Sequence, residues 1–66
     1  MENPYRILLE ALEHHGFDRE TAIGIMLPLD EKEDLLDLAK WIADHPEAQR
    51  RDALKEMHKL LRKRSI

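Results

Sequence analysis

Apolar residues recur at helical spacing in four stretches of this chain, and prolines and glycines fall mostly between those stretches. Placed at 100° per residue, the apolar positions of each stretch gather on one side, as in amphipathic helices. No stretch shows the strict alternation of a half-buried strand. The pattern predicts an all-α fold: one domain, residues 1–66, forming a compact orthogonal bundle of four short helices at about 4–15, 18–27, 31–44 and 46–64.

Local signals mark the ends of the first helix and the start of the second. Pro4 suits a first helical position, where its missing N–H is not needed. Gly16 can adopt the left-handed conformation that ends many helices. Asp18 is expected to be the N-cap of the second helix, with Phe17 packing onto Ala22 as a hydrophobic staple.

The later boundaries rest on prolines and on one capping pair. Pro28 should end the second helix, because the residue before a proline is pushed out of the helical region. Asp30 and Glu33 have the spacing of a capping pair for the third helix. Pro46 fits the first position of the fourth helix.

The second helix is apolar on every side between Ala22 and Leu27. A helix of this kind is buried all round or covered by another chain. Gly24 weakens it by about 1 kcal/mol relative to alanine, so we expect a neighbouring helix to approach closely there. Six large residues are expected to form core or interface: Leu8, Phe17, Ile25, Met26, Trp41 and Ile42.

Composition narrows the function classes. A chain of 66 residues without cysteine has no disulfide and lacks the commonest zinc frameworks, so a partner chain is the remaining usual source of extra stability. His14 and His15 point about 100° apart on a helix and cannot jointly hold one metal. Only three hydroxyl side chains could serve as nucleophiles. We therefore expect no enzyme, no metal and no cofactor.

No apolar run approaches the ~20 residues that span a bilayer, and the N-terminal residues lack a secretory signal pattern. We expect a cytoplasmic protein without a membrane-spanning segment.

The net charge of −3 conceals a strong asymmetry. Residues 1–49 hold four basic and twelve acidic side chains, a net charge of −8, whereas residues 50–66 hold seven basic and two acidic ones, a net charge of +5. One face of the last helix is basic, formed by Arg51, Lys55, Lys59, Arg62 and Lys63. Such a face can bind phosphate or an acidic partner, or can simply remain solvated.

Sequence-specific DNA recognition is not expected. A helix-turn-helix would place the third helix in the major groove, but that helix begins Glu31-Lys32-Glu33-Asp34, which phosphate would repel. Contact with nucleic acid would fall to the basic face of the last helix, which has no aromatic residue to stack on bases.

The segment from Leu12 to Ala22, with its Gly16-Phe17 loop followed by Asp18, resembles the first loop and second helix of ubiquitin-associated (UBA) domains. The third helix is also similar to theirs around Trp41, and the resemblance covers roughly residues 5–46. It implies a three-helix unit that binds ubiquitin through the loop and the end of the third helix. The residues it nominates are His15, Gly16, Phe17, Ile42 and Ala43. The acidic-then-basic arrangement also resembles short helical proteins of bacteria.

The leading hypothesis is a small helical protein–protein interaction module that forms a homodimer. An accessory nucleic-acid-binding or regulatory protein that uses the basic last helix is the first alternative. UBA-like binding of ubiquitin is the second.

Overall fold

The computed structural model describes residues 3–64. For Arg64 it describes only the backbone. Its helices are α1 (Pro4–His15), α2 (Arg19–Met26), α3 (Lys32–Asp44) and α4 (Arg50–Arg64). These residues are 77% helical and include no strand, so the all-α fold of four helices is confirmed. Within residues 3–64, no helix combines the length and the apolar character needed to cross a bilayer.

The helices enclose a single apolar core. α1 packs most extensively on α3 and also contacts α2, while α4 lies against both α2 and α3. The radius of gyration is 10.8 Å, close to the value of about 11 Å expected for a compact chain of this length. The largest fully buried side chains come from α1, α2, α3 and the segment between α2 and α3: Leu8, Leu12, Ile25, Leu29, Leu35, Leu38 and Ile42.

The turn between α1 and α2 has the predicted form. Gly16 has a φ of 119°, in the left-handed region, and the Phe17 N–H donates to the Leu12 carbonyl at 3.1 Å. Two residues later, the Asp18 carboxylate accepts the Thr21 N–H at 2.8 Å. The predicted helix end and N-cap are therefore confirmed, and α2 begins within one residue of its predicted start.

Pro28 ends α2 as predicted, but not by pushing Leu27 out of the helical region. Leu27 keeps helical angles, φ −56° and ψ −41°, although it precedes Pro28. α2 ends because Pro28 has no N–H to donate to the Gly24 carbonyl. The prediction that a neighbouring helix approaches Gly24 is wrong for the chain alone: a Cβ built there meets nothing within 4 Å.

The capping pair predicted for α3 is also wrong. The N-cap is Glu31 rather than Asp30, and no side chain makes the capping hydrogen bond. The Leu35 N–H donates to the Glu31 carbonyl at 3.1 Å, so the first helical bond starts one residue later than an Asp30 cap requires.

α4 begins at Arg50, not at Pro46 as predicted. A helix starting at Pro46 would pair the Ala48 carbonyl with the Asp52 N–H. In the structure, the Ala48 carbonyl oxygen accepts a hydrogen bond from the His15 Nε2 at 2.6 Å. The Asp52 N–H donates to Gln49 instead, and the Asp52 carboxylate accepts the Gln49 N–H at 2.9 Å. The turn after Pro46, in which the Ala48 N–H donates to the His45 carbonyl, and the Gln49–Asp52 cap therefore take the place of the helix start predicted at Pro46.

Candidate functional site

The residues nominated by the UBA resemblance lie at the end of α1 and the end of α3. Gly16 and Ala43 are exposed, His15 and Phe17 are half-buried, and Ile42 is only 1% exposed. Three of them line a groove of about 280 Å³, whose walls are formed by Ala11, His14, His15, Ile42, Ala43 and Pro46. Gly16 and Phe17 are not part of this lining, so the structure does not gather the five residues into one concave surface.

The His15 ring holds the α3–α4 connection against α1. Its Nε2 donates to the Ala48 carbonyl at 2.6 Å, and its centroid lies 5.0 Å from that of the Phe17 ring. These contacts use one face and one nitrogen of the ring for structure. His15 therefore acts in the fold as a link between two distant segments.

A second histidine, His45, packs against Trp41 at the C-terminal end of α3. The His45 ring stacks on Trp41 with centroids 4.4 Å apart, and its Nδ1 donates to the Trp41 carbonyl at 2.7 Å. Trp41 is half-buried and packs against the core. The other large residues predicted as core or interface are also turned inward, so they do not form a docking surface in the chain alone.

The basic face of α4 is exposed along its whole length: Arg51, Lys55, Lys59, Arg62 and Lys63. The opposite side of α4 is anchored by Ala53, Met57 and Leu60, whose exposed fractions are 0%, 3% and 7%. Within residues 3–64, no carboxylate forms an ion pair with any of the five cations of this face. The face is a row of free positive charge on a helix that the core holds in place.

Two of the four cations in residues 1–49 form ion pairs with carboxylates. Arg6 pairs with Glu10 at 3.0 Å, and Arg19 approaches Glu13 at 3.8 Å. Both pairs are exposed, so each contributes little to stability. They nevertheless neutralise charge locally. On the basic face of α4, by contrast, Glu56 lines a cavity with Lys59, Arg62 and Lys63 without forming an ion pair with any of them among the described residues.

At the start of α2, hydrogen bonds with Thr21 lower the pKa of the Asp18 carboxyl below 3.8. The Thr21 side chain has the largest effect, and the Thr21 backbone N–H has the next largest. The nearby charge of Arg50 lowers this pKa further. Asp18 is therefore ionised at neutral pH and serves as a structural cap.

The outer face of α2 is an apolar surface that the sequence analysis did not nominate as a binding site. We define it as Glu20, Ile23, Gly24 and Leu27, which lie on the side opposite the buried residues Ala22, Ile25 and Met26. Ile23 is 41% exposed and Leu27 is 75% exposed. The all-round apolar pattern of α2 signalled this surface, but it could not say which side would face outward.

A groove of about 370 Å³ runs beside this outer face, between α2 and α4. Its lining mixes apolar side chains with one acid and one base: Glu20, Thr21, Gly24, Ile25, Arg50 and Leu54. The missing side chain at Gly24 leaves its floor open. The outer face and the groove together form a continuous surface of both apolar and mixed-charge character.

Among residues 3–64, no group of three or more acidic or histidine side chains is placed to hold a metal ion. Asp34 is buried, at 4% exposure, in the first turn of α3, where the helix dipole favours a carboxylate. Comparison with protein-family models, with curated proteins and with solved structures finds no match for this chain.

Proposed function

We propose that this chain is a protein–protein interaction module that forms a homodimer through the outer face of α2. The observation that carries the proposal is the exposure of Leu27, 75%, next to Ile23, 41%, one helical turn away. Burying a whole side chain of this type stabilises by about 1.5–3 kcal/mol. A second surface that covers both side chains would add this free energy of burial, which the monomer does not gain.

The occupant that fits this surface is a second copy. A two-fold interface places the same patch on both sides, so the patch must be complementary to itself. Glu20 and Arg50 give the groove one charge of each sign, so no net charge opposes a second identical patch. Gly24, with nothing within 4 Å of its Cβ position, allows a helix of the partner to come close.

The size of the outer face of α2 limits the expected affinity of the dimer. α2 has eight residues, a length of about 12 Å, so the contact falls toward the lower end of specific interfaces, which bury about 800 Å² on each partner. The dimer should therefore be reversible, with dissociation on dilution.

Sedimentation equilibrium of the full chain tests this proposal. The wild type should sediment as a monomer–dimer equilibrium, and Leu27→Ser should be monomeric with an unchanged circular dichroism spectrum. Tyr5→Ser is the matched control, because Tyr5 is a large exposed residue, 41% exposed, at the start of α1 rather than on α2. A monomeric wild type, or equal loss of dimer in both variants, would contradict the proposal.

The groove beside His15 offers a second candidate function, UBA-like binding of ubiquitin. It is favoured by the three nominated residues that share one lining, and it ranks below homodimerisation because Ile42 is only 1% exposed. Titration of the isotope-labelled chain with ubiquitin should shift the amide signals of Gly16 and Ala43 if this candidate holds. Unchanged signals at both residues would remove it.

A further inference from the structure

From the free positive charge on α4 we infer a second binding surface, independent of the α2 outer face: the basic face of α4 binds the phosphate backbone of duplex nucleic acid without reading sequence. The face comprises Arg51, Lys55, Lys59, Arg62 and Lys63, all exposed and none paired with a carboxylate of residues 3–64.

The helix dipole does not account for this face. Cations are favoured in the last turn of a helix and disfavoured in the first. Arg51 lies in the first turn of α4, and Lys55 lies in its second turn, where the dipole gives them no advantage. Solvation alone would be served equally by the mixed charges seen on α1, where Arg6 pairs with Glu10. Glu56 lines a cavity with Lys59, Arg62 and Lys63, so the face carries an excess of positive charge rather than one sign alone. An anionic ligand would complement that excess.

The spacing along α4 suits an extended row of phosphates. Positions 51, 55, 59 and 63 follow one another every four residues, so each step rises by about 6 Å and turns by about 40°, and the row spans about 18 Å on a face about 120° wide. That length corresponds to about five phosphates along one strand of B-DNA. The buried anchors Ala53, Met57 and Leu60 fix the helix, so the row is preorganised.

The chemistry of the face favours duplex over single-stranded nucleic acid. Single-strand binders combine cations with aromatic side chains on which bases stack, and α4 carries no aromatic ring. The acidic residues Glu33 and Asp37 line a cavity together with Lys63, so negative charge borders the C-terminal end of the row. Binding should therefore centre on Arg51, Lys55 and Lys59.

Fluorescence polarisation of a labelled, random-sequence DNA duplex tests this inference at about 50 mM salt, where phosphate contacts are strong. The full-length wild type should bind, and the logarithm of its affinity should fall with the logarithm of salt concentration with a slope of about −3, as for three contacts. Lys55→Glu/Lys59→Glu should weaken binding by about a hundred-fold at this salt, because two phosphate contacts are lost.

The matched control is Lys32→Glu/Lys40→Glu, which changes the net charge equally but alters exposed lysines of α3. It should retain most of the affinity, and Lys55→Gln/Lys59→Gln should show the loss without added carboxylates. Absence of wild-type binding would overturn the inference, as would equal loss in both charge-reversed variants. Displacement of the duplex by polyglutamate as readily as by unlabelled DNA would also overturn it, since the face would then select an acidic protein surface.

Discussion

The Nε2 atom of His15 lies 2.6 Å from the carbonyl oxygen of Ala48, 33 residues further along the chain. This hydrogen bond joins the last turn of α1 to the segment before α4. One side chain thus fixes how the connection lies against the body of the fold, just before α4 begins.

Replacing His15 with leucine should destabilise the chain by about 1–2 kcal/mol, because the half-buried Ala48 carbonyl loses its donor. Urea denaturation followed by circular dichroism measures the change. His14→Leu is the control, since His14 is exposed and its replacement should fall within about 0.5 kcal/mol of the wild type. Equal effects of the two substitutions would show that the ring of His15 does not link these segments.

The parts of the fold that the sequence predicted well are those that neighbouring residues determine. Gly16 and Asp18 act through their own backbone and the next turn, so their roles follow from local geometry alone. The start of α4 was missed because the segment after Pro46 forms a turn held against α1 through the Ala48 carbonyl, and helix α4 begins only at the Gln49–Asp52 cap. The outward side of α2 was missed for another reason: a helix that is apolar all round contains no signal for the direction in which Leu27 will point.

The N-cap of α2 predicts a pH dependence. The pKa of Asp18 is lowered below 3.8 by contacts with Thr21 and by the charge of Arg50. A lowered pKa in the folded state means that the ionised carboxylate stabilises the fold above the unfolded-state pKa, and that this contribution is lost as the pH falls through the folded-state pKa. Stability should therefore decrease below a pH of about 4.

Asp18→Asn isolates this contribution, because asparagine also caps helices but does not ionise in this range. Urea denaturation at a series of pH values should show the stability of wild type and Asp18→Asn converging under acid conditions. A difference that stays constant from neutral to acid pH would exclude a role for the charge of Asp18.

The two glycines should respond oppositely to alanine. At Gly16, with φ 119°, alanine should destabilise by about 1–2 kcal/mol, because a left-handed conformation strains any residue with a Cβ. At Gly24, which is helical and has open space around its Cβ position, alanine should stabilise the monomer by about 1 kcal/mol.

Gly24→Ala should at the same time weaken the proposed dimer, since the added methyl group lies on the outer face of α2, where we propose that a second copy approaches. Thermal unfolding at low concentration reports the gain in monomer stability, and sedimentation equilibrium reports the dimer. If Gly24→Ala gains monomer stability but keeps the wild-type dimer affinity, the two copies do not contact each other at Gly24.

Interchain nuclear Overhauser effects would detect whether two copies meet through the outer face of α2, as we propose. A sample that mixes isotope-labelled and unlabelled chains allows only contacts between copies to be observed. We expect such contacts from the methyl groups of Ile23 and Leu27. Their absence in a sample that sedimentation shows to be dimeric, or interchain contacts confined to other helices, would contradict the account.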